Sequence, residues 1–399
     1  MSVRRVGGAV AGLLVGLAAG ATLTLALQGS ASLPEPPPVP SSPPTPFTVP
    51  EGPDTFLVWT SGGLPDGFGD TVRALPDIDR VVVVASDTAW LDSSTSAQGE
   101  VVDDPPAGYA IPLEVAAVNP REFEPFLPPA DRASTLAIGD GQGILGETSA
   151  KLRGLGPGAV LRFGTVRIEV AAILPDELVG ANELMVSREV GKQIGVTHDR
   201  YALLVPHREL ARRQVMVRMK QILPAGLPVQ VRAPGDTPYF RQGDAVLPQV
   251  VIKELFGEFA ARPRPGAPGF LLLDPAWVRT HIVTQHVPIL GDVTCNVALF
   301  PQIRGVMQEL VDEGLEGTIT SFSGCFAARN VNRIPTAGIS HHSWGIALDI
   351  NVPQNLFGHT PDQDPRLVAV FERWGFVWGG TFIQPDGMHF EYRRPPAED

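Results

Sequence analysis

Hydrophobic residues follow a different pattern in each of four parts of the chain. The first part is an uninterrupted apolar run over residues 6–27, preceded by Arg4 and Arg5. A run of this length can cross a bilayer as a helix, with residues 1–5 as a cytoplasmic stub. The competing interpretation is a cleaved signal peptide that ends near residues 29–31. We favour the anchor, because the run is longer than the apolar core of a signal peptide, which is about 7–15 residues.

The second part, residues 28–53, is rich in proline. It shows neither the period of an amphipathic helix nor the alternation of a strand. Such a segment is typical of an extended, semi-rigid linker. We therefore expect the remainder of the chain to be held outside the cytoplasm, at a distance from the membrane.

Short strands and short helices are predicted in the third part, residues 54–235. Residues 80–86 (RVVVVAS) form a continuous apolar run typical of a buried strand, and residues 159–174 alternate around a Phe-Gly turn as in a hairpin. The intervening glycines 141, 143 and 146 have the G-x-G-x-x-G spacing of dinucleotide-binding loops. Because a hairpin follows rather than a second parallel strand, we interpret them as turn and helix-entry residues. This part is predicted to be a separate mixed α/β or β-rich domain.

The fourth part, residues 248–399, combines helical and strand patterns. Residues 297–315 and 364–375 have helical spacing, and residues 317–324 are expected to form a strand. The pattern predicts an α+β domain in which helices flank a small antiparallel sheet.

Two further strands of this domain carry polar side chains on one face. In residues 344–351 the alternate aliphatic residues face the core, and Asp349 points the other way. In residues 387–392 the same alternation places His389 on the face opposite the core. His342 precedes the first strand, where a loop can fold it back towards Asp349. Pairing the strands with these faces aligned would bring two imidazoles and one carboxylate together.

Two histidines and one carboxylate, with a fourth position open, are the ligand set of a catalytic zinc ion. Zinc lowers the pKa of a bound water to about 7, and hydrolysis then needs a base. Asp386 lies three residues before His389 and is the candidate, although an aspartate in a Pro-Asp-Gly sequence is usually a turn former. A nearby cation would stabilise negative charge on the substrate. Arg329 is the candidate and Arg333 the alternative, although the local sequence of either, taken alone, favours a solvated arginine.

Motifs of other hydrolases are absent. The chain has no H-E-x-x-H, no G-x-S-x-G and no S-x-x-K sequence, so neither zincin nor serine-hydrolase chemistry has local support.

The net charge and the cysteine content further restrict the possible partners and the cellular compartment of the protein. The formal net charge is −12, from 31 basic and 43 acidic residues, which argues against a nucleic-acid partner. Cys295 and Cys325 are the two cysteines. An isolated pair predicts a disulfide in an exported protein and two thiols in a cytosolic one. The apolar N-terminal run favours the disulfide.

The candidate residues also carry a family resemblance. The sequence S-x-H-x-x-G-x-A-x-D begins at Ser340, W-G-G begins at Trp378, and D-x-x-H-F-E begins at Asp386. This arrangement resembles the VanY-type D-alanyl-D-alanine carboxypeptidases, zinc peptidases of bacterial cell-wall stem peptides, and the related L-alanyl-D-glutamate endopeptidases. The resemblance covers roughly the last 150 residues.

The resemblance implies a role for each matching position. His342, Asp349 and His389 would be zinc ligands and Asp386 the general base, while Arg329 would polarise the scissile carbonyl. Ser340, Trp378 and Gly379 would support the site or bind substrate. The aspartate at position 386 fits the endopeptidase branch better, because the D,D-dipeptidase branch has glutamate there.

A second resemblance is confined to residues 144–174. They resemble the extracytoplasmic domain of macrolide-exporter-type ABC permeases, which implies a spacer or a module that docks an envelope protein. The sequence thus predicts a membrane-anchored zinc peptidase in the cell envelope, with peptidoglycan stem peptides as partners. The alternative is a non-catalytic wall-binding or scaffold protein that keeps a peptidase-like fold.

Overall fold

The computed structural model describes residues 55–139, 141–236, 239–241 and 247–393, all of which belong to one compact unit. The predicted cytoplasmic stub, membrane anchor and linker lie outside these residues. Among the helices within the described ranges, none has the length and apolar character needed to cross a membrane.

Eleven of the described strands form one large sheet. In chain order they are β1 (Phe56–Thr60), β2 (Ile78–Leu91), β3 (Ser93–Thr95), β4 (Val101–Asp103), β5 (Ile111–Val118), β6 (Gln142–Gly146), β7 (Val160–Phe163), β8 (Val166–Leu174), β9 (Leu184–Ser187), β10 (Asp199–Pro206) and β11 (Val229–Arg232). Their order across the sheet is β11-β1-β10-β2-β5-β9-β6-β8-β7-β3-β4. Neighbouring strands are antiparallel except for the pairs β5 with β9 and β6 with β8.

Both faces of the central strands are buried, which explains their continuous apolar runs. In β1, Leu57 and Trp59 pack into one hydrophobic cluster, whereas Phe56 and Val58 pack into another on the opposite face. Short helices pack against the sheet and bury part of its faces. They are α1 (Phe68–Arg73), α2 (Pro120–Phe123), α3 (Arg132–Leu136), α4 (Glu147–Arg153), α5 (Arg188–Gln193) and α6 (Arg212–Ile222).

The predicted hairpin over residues 159–174 is confirmed as β7 and β8. The interpretation of the preceding glycines is confirmed for Gly141, which has a positive φ in a turn, and for Gly146, which ends strand β6 and is the N-cap of α4. It is wrong for Gly143, which lies inside β6, and β8 does run parallel to that strand after the crossover through α4. A Cβ atom on Gly143 would lie 2.9 Å from the Leu184 side chain and 3.1 Å from the Met185 carbonyl oxygen, so the close packing of β6 against β9 requires glycine there.

The described residues of the C-terminal part form small antiparallel sheets and four helices. Two hairpins are formed by β12 (Ala261–Pro263) with β13 (Leu271–Leu273) and by β14 (Ile282–Val287) with β15 (Gly291–Asn296). A four-stranded sheet has the order β16 (Phe322–Gly324), β17 (Ala347–Ile350), β19 (His389–Tyr392) and β18 (Phe376–Trp378). The helices are α7 (Gln249–Phe256), α8 (Pro275–His281), α9 (Phe300–Asp312) and α10 (Pro365–Arg373). The structure is therefore a mixture of helices with one large sheet and small sheets, and the predicted small antiparallel sheet is present in the C-terminal part.

Strand β16 is shorter than the sequence pattern predicts. Residues 316–318 form a 3-10 turn instead, and the strand starts at Phe322. The Asn351 side chain accepts hydrogen bonds from the backbone N–H groups of Thr320 and Ser321, at 2.7 and 3.2 Å. These bonds replace the ladder bonds that would otherwise extend the strand.

Candidate metal centre

The pairing of β17 with β19 places Asp349 directly beside His389. Leu348 and Phe390 point to the opposite face, where both are completely buried in the core. The sheet therefore turns two polar side chains to one side, in the alignment that the alternation predicts.

His342 reaches the same place from a 3-10 turn at residues 341–343. Its Nδ1 donates a hydrogen bond of 2.6 Å to the carbonyl oxygen of Cys325. That bond fixes the tautomer and leaves Nε2 as an unprotonated nitrogen. Nε2 is buried, lies 3.3 Å from Asp349 Oδ1 and has no hydrogen-bond partner among the described residues. A buried nitrogen with a free lone pair is what a metal ligand requires.

The second imidazole is held by carboxylates on both sides. His389 Nδ1 lies 3.2 Å from Asp349 Oδ1, and Nε2 lies 3.0 Å from Glu391 Oε2. If Glu391 accepts the Nε2 proton, Nδ1 is free to face Asp349. A carboxylate behind a histidine ligand is a common feature of metal sites, where it orients the ring and raises its basicity.

The spacing of the three ligand atoms fits zinc. The nitrogen and oxygen atoms offered by His342, Asp349 and His389 all lie within 4.8 Å of one another. A tetrahedral zinc ion with bonds of about 2.0–2.1 Å places its ligand atoms about 3.3 Å apart. The two nitrogen-to-oxygen distances to Asp349 Oδ1, 3.3 and 3.2 Å, match this value.

Electrostatics favours the protonation states that a metal needs. Burial lowers the pKa of His342, which keeps the imidazole neutral. Burial alone would raise the pKa of Asp349, but its interactions with the neighbouring imidazoles of His342 and His389 outweigh burial and hold the pKa of this carboxyl well below its usual range. The site thus offers a neutral imidazole and an ionised carboxylate at neutral pH.

Asp386 stands beside these ligands without bonding to them. Its carboxyl is more than half buried, and Oδ1 has no hydrogen-bond partner in the described part of the chain. Burial raises the pKa of Asp386, while the nearby His389 opposes the shift. A carboxyl group with a raised pKa is suited to exchange protons with a substrate or a water molecule.

Gly379 makes the position of Asp386 possible. A Cβ atom at residue 379 would lie 2.6 Å from the Asp386 carbonyl oxygen and 3.2 Å from the Cβ atoms of Asp386 and His389. The Asp386 N–H donates to the Gly379 carbonyl oxygen at 2.9 Å. Trp378 fixes the same loop, because its Nε1–H donates to the Gly387 carbonyl oxygen at 2.8 Å. Both residues therefore support the site and do not provide ligand atoms.

Arg329 faces the metal centre. Of the two candidate arginines, it is the one whose position fits a cation beside the metal ligands. The charges of Asp349 and Asp386 act on its guanidinium, whose pKa burial lowers. Its backbone is held by Ser343 and by Ser340, whose N–H donates to the Arg329 carbonyl oxygen at 3.1 Å. Arg333, the alternative, has its guanidinium over the ring of Phe270, 5.6 Å from the centroid.

Cys295 and Cys325 form a disulfide, as predicted. The bond ties the end of β15 to the segment whose carbonyl oxygen accepts the His342 hydrogen bond. The disulfide therefore supports a metal-ligand candidate as well as the segment that leads to Arg329.

Two residues that support the metal centre, Glu391 and Ser343, were not identified as site residues from the sequence. Glu391 contacts His389, pairs with Arg393, and lies 2.5 Å from Nδ1 of His341. The alternation along β19 could have identified Glu391, because it places this residue on the same face as His389. No sequence pattern identified Ser343, whose hydroxyl forms hydrogen bonds with the backbone of Arg329 and Ala327.

Comparison with known proteins agrees with the C-terminal geometry. Residues 334–392 match the family model described as D-alanyl-D-alanine carboxypeptidase. The C-terminal part is similar to that family. The match contains His342, Asp349, Asp386 and His389, and it confirms the resemblance predicted from their spacing. No curated protein sequence matches the chain significantly.

Solved structures similar to the chain include two permease domains. The periplasmic region of MacB from Actinobacillus actinomycetemcomitans is 12% identical, with a TM-score of 0.31, and the match covers 46% of this chain and 90% of that one. The extracellular domain of the ABC-type transporter YknZ from Gram-positive bacteria is also 12% identical, with a TM-score of 0.29, and the match covers 45% and 100%. Both are of the class that residues 144–174 resemble, and TM-scores this low assign no function.

Proposed function

We propose that the protein is a zinc peptidase that hydrolyses peptidoglycan stem peptides outside the cytoplasm. The observation that carries the proposal is the pair of buried atoms His342 Nε2 and Asp386 Oδ1, which lie around Asp349 and His389 and have no hydrogen-bond partner among the described residues. Such atoms are costly to bury without a partner, and a metal with its substrate would provide one. The family model matched by residues 334–392 supports the same reaction class.

His342, Asp349 and His389 would hold the zinc ion. Bound there, zinc would supply Lewis acidity and lower the pKa of a coordinated water. The residues of the chain perform the remaining work.

Asp386 would act as the general base and then as the general acid. Its ionised carboxylate takes a proton from the attacking water as the water oxygen bonds to the amide carbonyl carbon. The carboxyl then gives that proton to the leaving nitrogen as the carbon–nitrogen bond breaks. Burial raises the pKa of Asp386, which favours this second transfer.

Arg329 would stabilise the negative charge that develops on the carbonyl oxygen. Its guanidinium is already attracted to the centre by Asp349 and Asp386, and its backbone is fixed by two serines. A preorganised cation of this kind is typically worth about 3–4 kcal/mol in the transition state.

The N-terminal apolar run would anchor the chain in the membrane, with the catalytic part in the envelope. In this arrangement the large sheet lies between the anchor and the metal centre in sequence, where it can also contact an envelope protein. The disulfide between Cys295 and Cys325 fits an oxidising compartment.

Replacement of Asp386 by asparagine tests the proposal. We expect Asp386→Asn to lose at least about a hundredfold in hydrolysis of a stem pentapeptide, because asparagine cannot accept the proton. Zinc content, measured by mass spectrometry of the metal, should stay at that of the wild type, whereas His342→Ala should lose it. Retained hydrolysis in Asp386→Asn would remove the aspartate from the mechanism, and an unchanged zinc content in His342→Ala would remove the proposed ligand set.

A further inference from the structure

The candidate metal centre opens into a cleft of about 420 Å³ whose other wall belongs to the large sheet. Arg329, Ser340, Asp386 and His389 line the side that carries the metal ligands. Strands β2, β5 and β10 line the opposite side, with polar side chains that include Thr88, Glu114, Arg200 and Tyr201.

Buried contacts fix the two walls to each other. In α7, Lys253 donates to Glu183 Oε2 at 2.8 Å and to the Pro112 carbonyl oxygen at 2.6 Å, and both charged side chains are completely buried. The backbones of Ala110 and Ala261 exchange two hydrogen bonds, at 2.9 and 2.8 Å. These contacts join the sheet wall to the part of the chain that carries the metal centre.

The sheet wall presents hydrogen-bond donors that have no acceptor. Arg200 donates through Nε to the Ser86 carbonyl oxygen and through Nη2 to Asp87, while Nη1 has no partner in the described ranges. Arg241, which lies outside the strands, uses both Nη atoms on Glu114 of β5 and so holds that carboxylate in place. The Thr88 hydroxyl also lacks a hydrogen bond within the described ranges. A ligand that fills this cleft must supply oxygen acceptors.

We propose that the large sheet forms the substrate-binding wall of the cleft. In this proposal, which rests on the proposed function, Arg200 and Thr88 donate hydrogen bonds to carbonyl and carboxylate oxygens of an acidic peptide. Such a peptide offers a row of acceptors along its backbone and at its acidic groups. The chain has a net charge of −12 and so repels an anionic ligand at long range, which makes local donors necessary for binding.

Arg200→Gln tests the proposal against a matched control. The control is Arg218→Gln, because Arg218 also donates through Nε and Nη2, in its case both to Asp77, and does not line the cleft. We expect Arg200→Gln to raise KM for a stem pentapeptide about tenfold with kcat nearly unchanged, since one charge-assisted hydrogen bond is lost from bound substrate and transition state alike. Arg218→Gln should leave both constants unchanged.

A second, milder variant tests the proposal in case Arg200→Gln does not fold. Thr88→Val keeps the shape of the side chain and removes only the hydroxyl, so we expect a KM increase of about threefold. Thermal unfolding monitored by circular dichroism checks that each variant is folded. An unchanged KM in both Thr88→Val and a folded Arg200→Gln would overturn the proposal while leaving the peptidase function intact.

Binding measurements test the substrate-binding wall separately from the proposed peptidase function. If the wild-type protein hydrolyses no stem peptide, the proposed function fails, and calorimetry of the same pentapeptide with the full chain then tests the wall. Weaker binding by Arg200→Gln than by Arg218→Gln would support a peptide-binding wall. Equal binding by the two variants, or no binding by the wild type, would overturn it.

Discussion

His341 and His342 are neighbours in the sequence, yet their imidazoles make different contacts. His342 donates to the Cys325 carbonyl oxygen and points Nε2 at Asp349. His341 lies against Glu391, on the side of the large sheet, and burial holds its pKa well below the usual value. The motif spacing favours His342 as the ligand, and the contacts of the two rings give that choice a physical basis.

Gly379→Ala tests how tightly the base is positioned. The added methyl group would collide with the Asp386 carbonyl oxygen at 2.6 Å and displace the loop that carries the carboxyl. We expect kcat/KM to fall about a hundredfold, since a displacement of roughly 1 Å in a catalytic group has a cost of this size.

Gly317→Ala is the matched control for this substitution. No atom lies within 4 Å of a Cβ at residue 317, so activity and stability should both remain those of the wild type. Equal activity in Gly379→Ala and Gly317→Ala would show that the close approach at Gly379 has no catalytic importance.

The local sequence pattern predicts the two paired strands of the metal centre. It predicts only part of the turn that precedes them. Alternation in β17 and β19 identifies the faces of Asp349 and His389 because the strand period is local. The sequence pattern extends the first strand back to Trp344, whereas it begins at Ala347. The ring orientation of His342 depends on Cys325, which is 17 residues away in sequence, and no local period carries that information.

Replacement of both cysteines by serine tests the element-level role of the disulfide. The closed loop of about 30 residues should make the bond worth about 3–4 kcal/mol of unfolding free energy. Because the bond also fixes the carbonyl oxygen that orients His342, we expect the dissociation constant for zinc to rise about tenfold or more. Chemical denaturation and competition with a zinc chelator measure the two effects. A loss of stability with unchanged zinc affinity would confine the disulfide to a structural role.

The whole molecule depends on buried charges that join the large sheet to the C-terminal part. Arg153 in α4 and Lys253 in α7 share Glu183 and Glu258, and three of these four side chains are almost fully buried. The sequence predicts a separate middle domain, but it gave no sign of this contact, because Glu183 and Lys253 are 70 residues apart. Long-range contacts of this kind also create the cleft wall.

Lys253→Met tests the importance of that junction. The substitution leaves Glu183 buried and short of a cation, so the free energy of unfolding should fall by about 3–5 kcal/mol. Lys151→Met is the control, because Lys151 pairs with Glu254 at 3.1 Å but is 76% exposed, and its loss should change stability by less than about 1 kcal/mol. Equal effects of the two substitutions in urea denaturation would mean that the buried charges do not hold the two parts together.

Mass spectrometry of a defined stem pentapeptide incubated with the full-length chain tests the central claim most directly. The proposed function predicts cleavage products whose formation stops when a chelator removes zinc and resumes when zinc is restored. Loss of the terminal D-alanine would define a D,D-carboxypeptidase, and a cut after L-alanine would define an endopeptidase. An intact pentapeptide after incubation with zinc-loaded protein would contradict the claim.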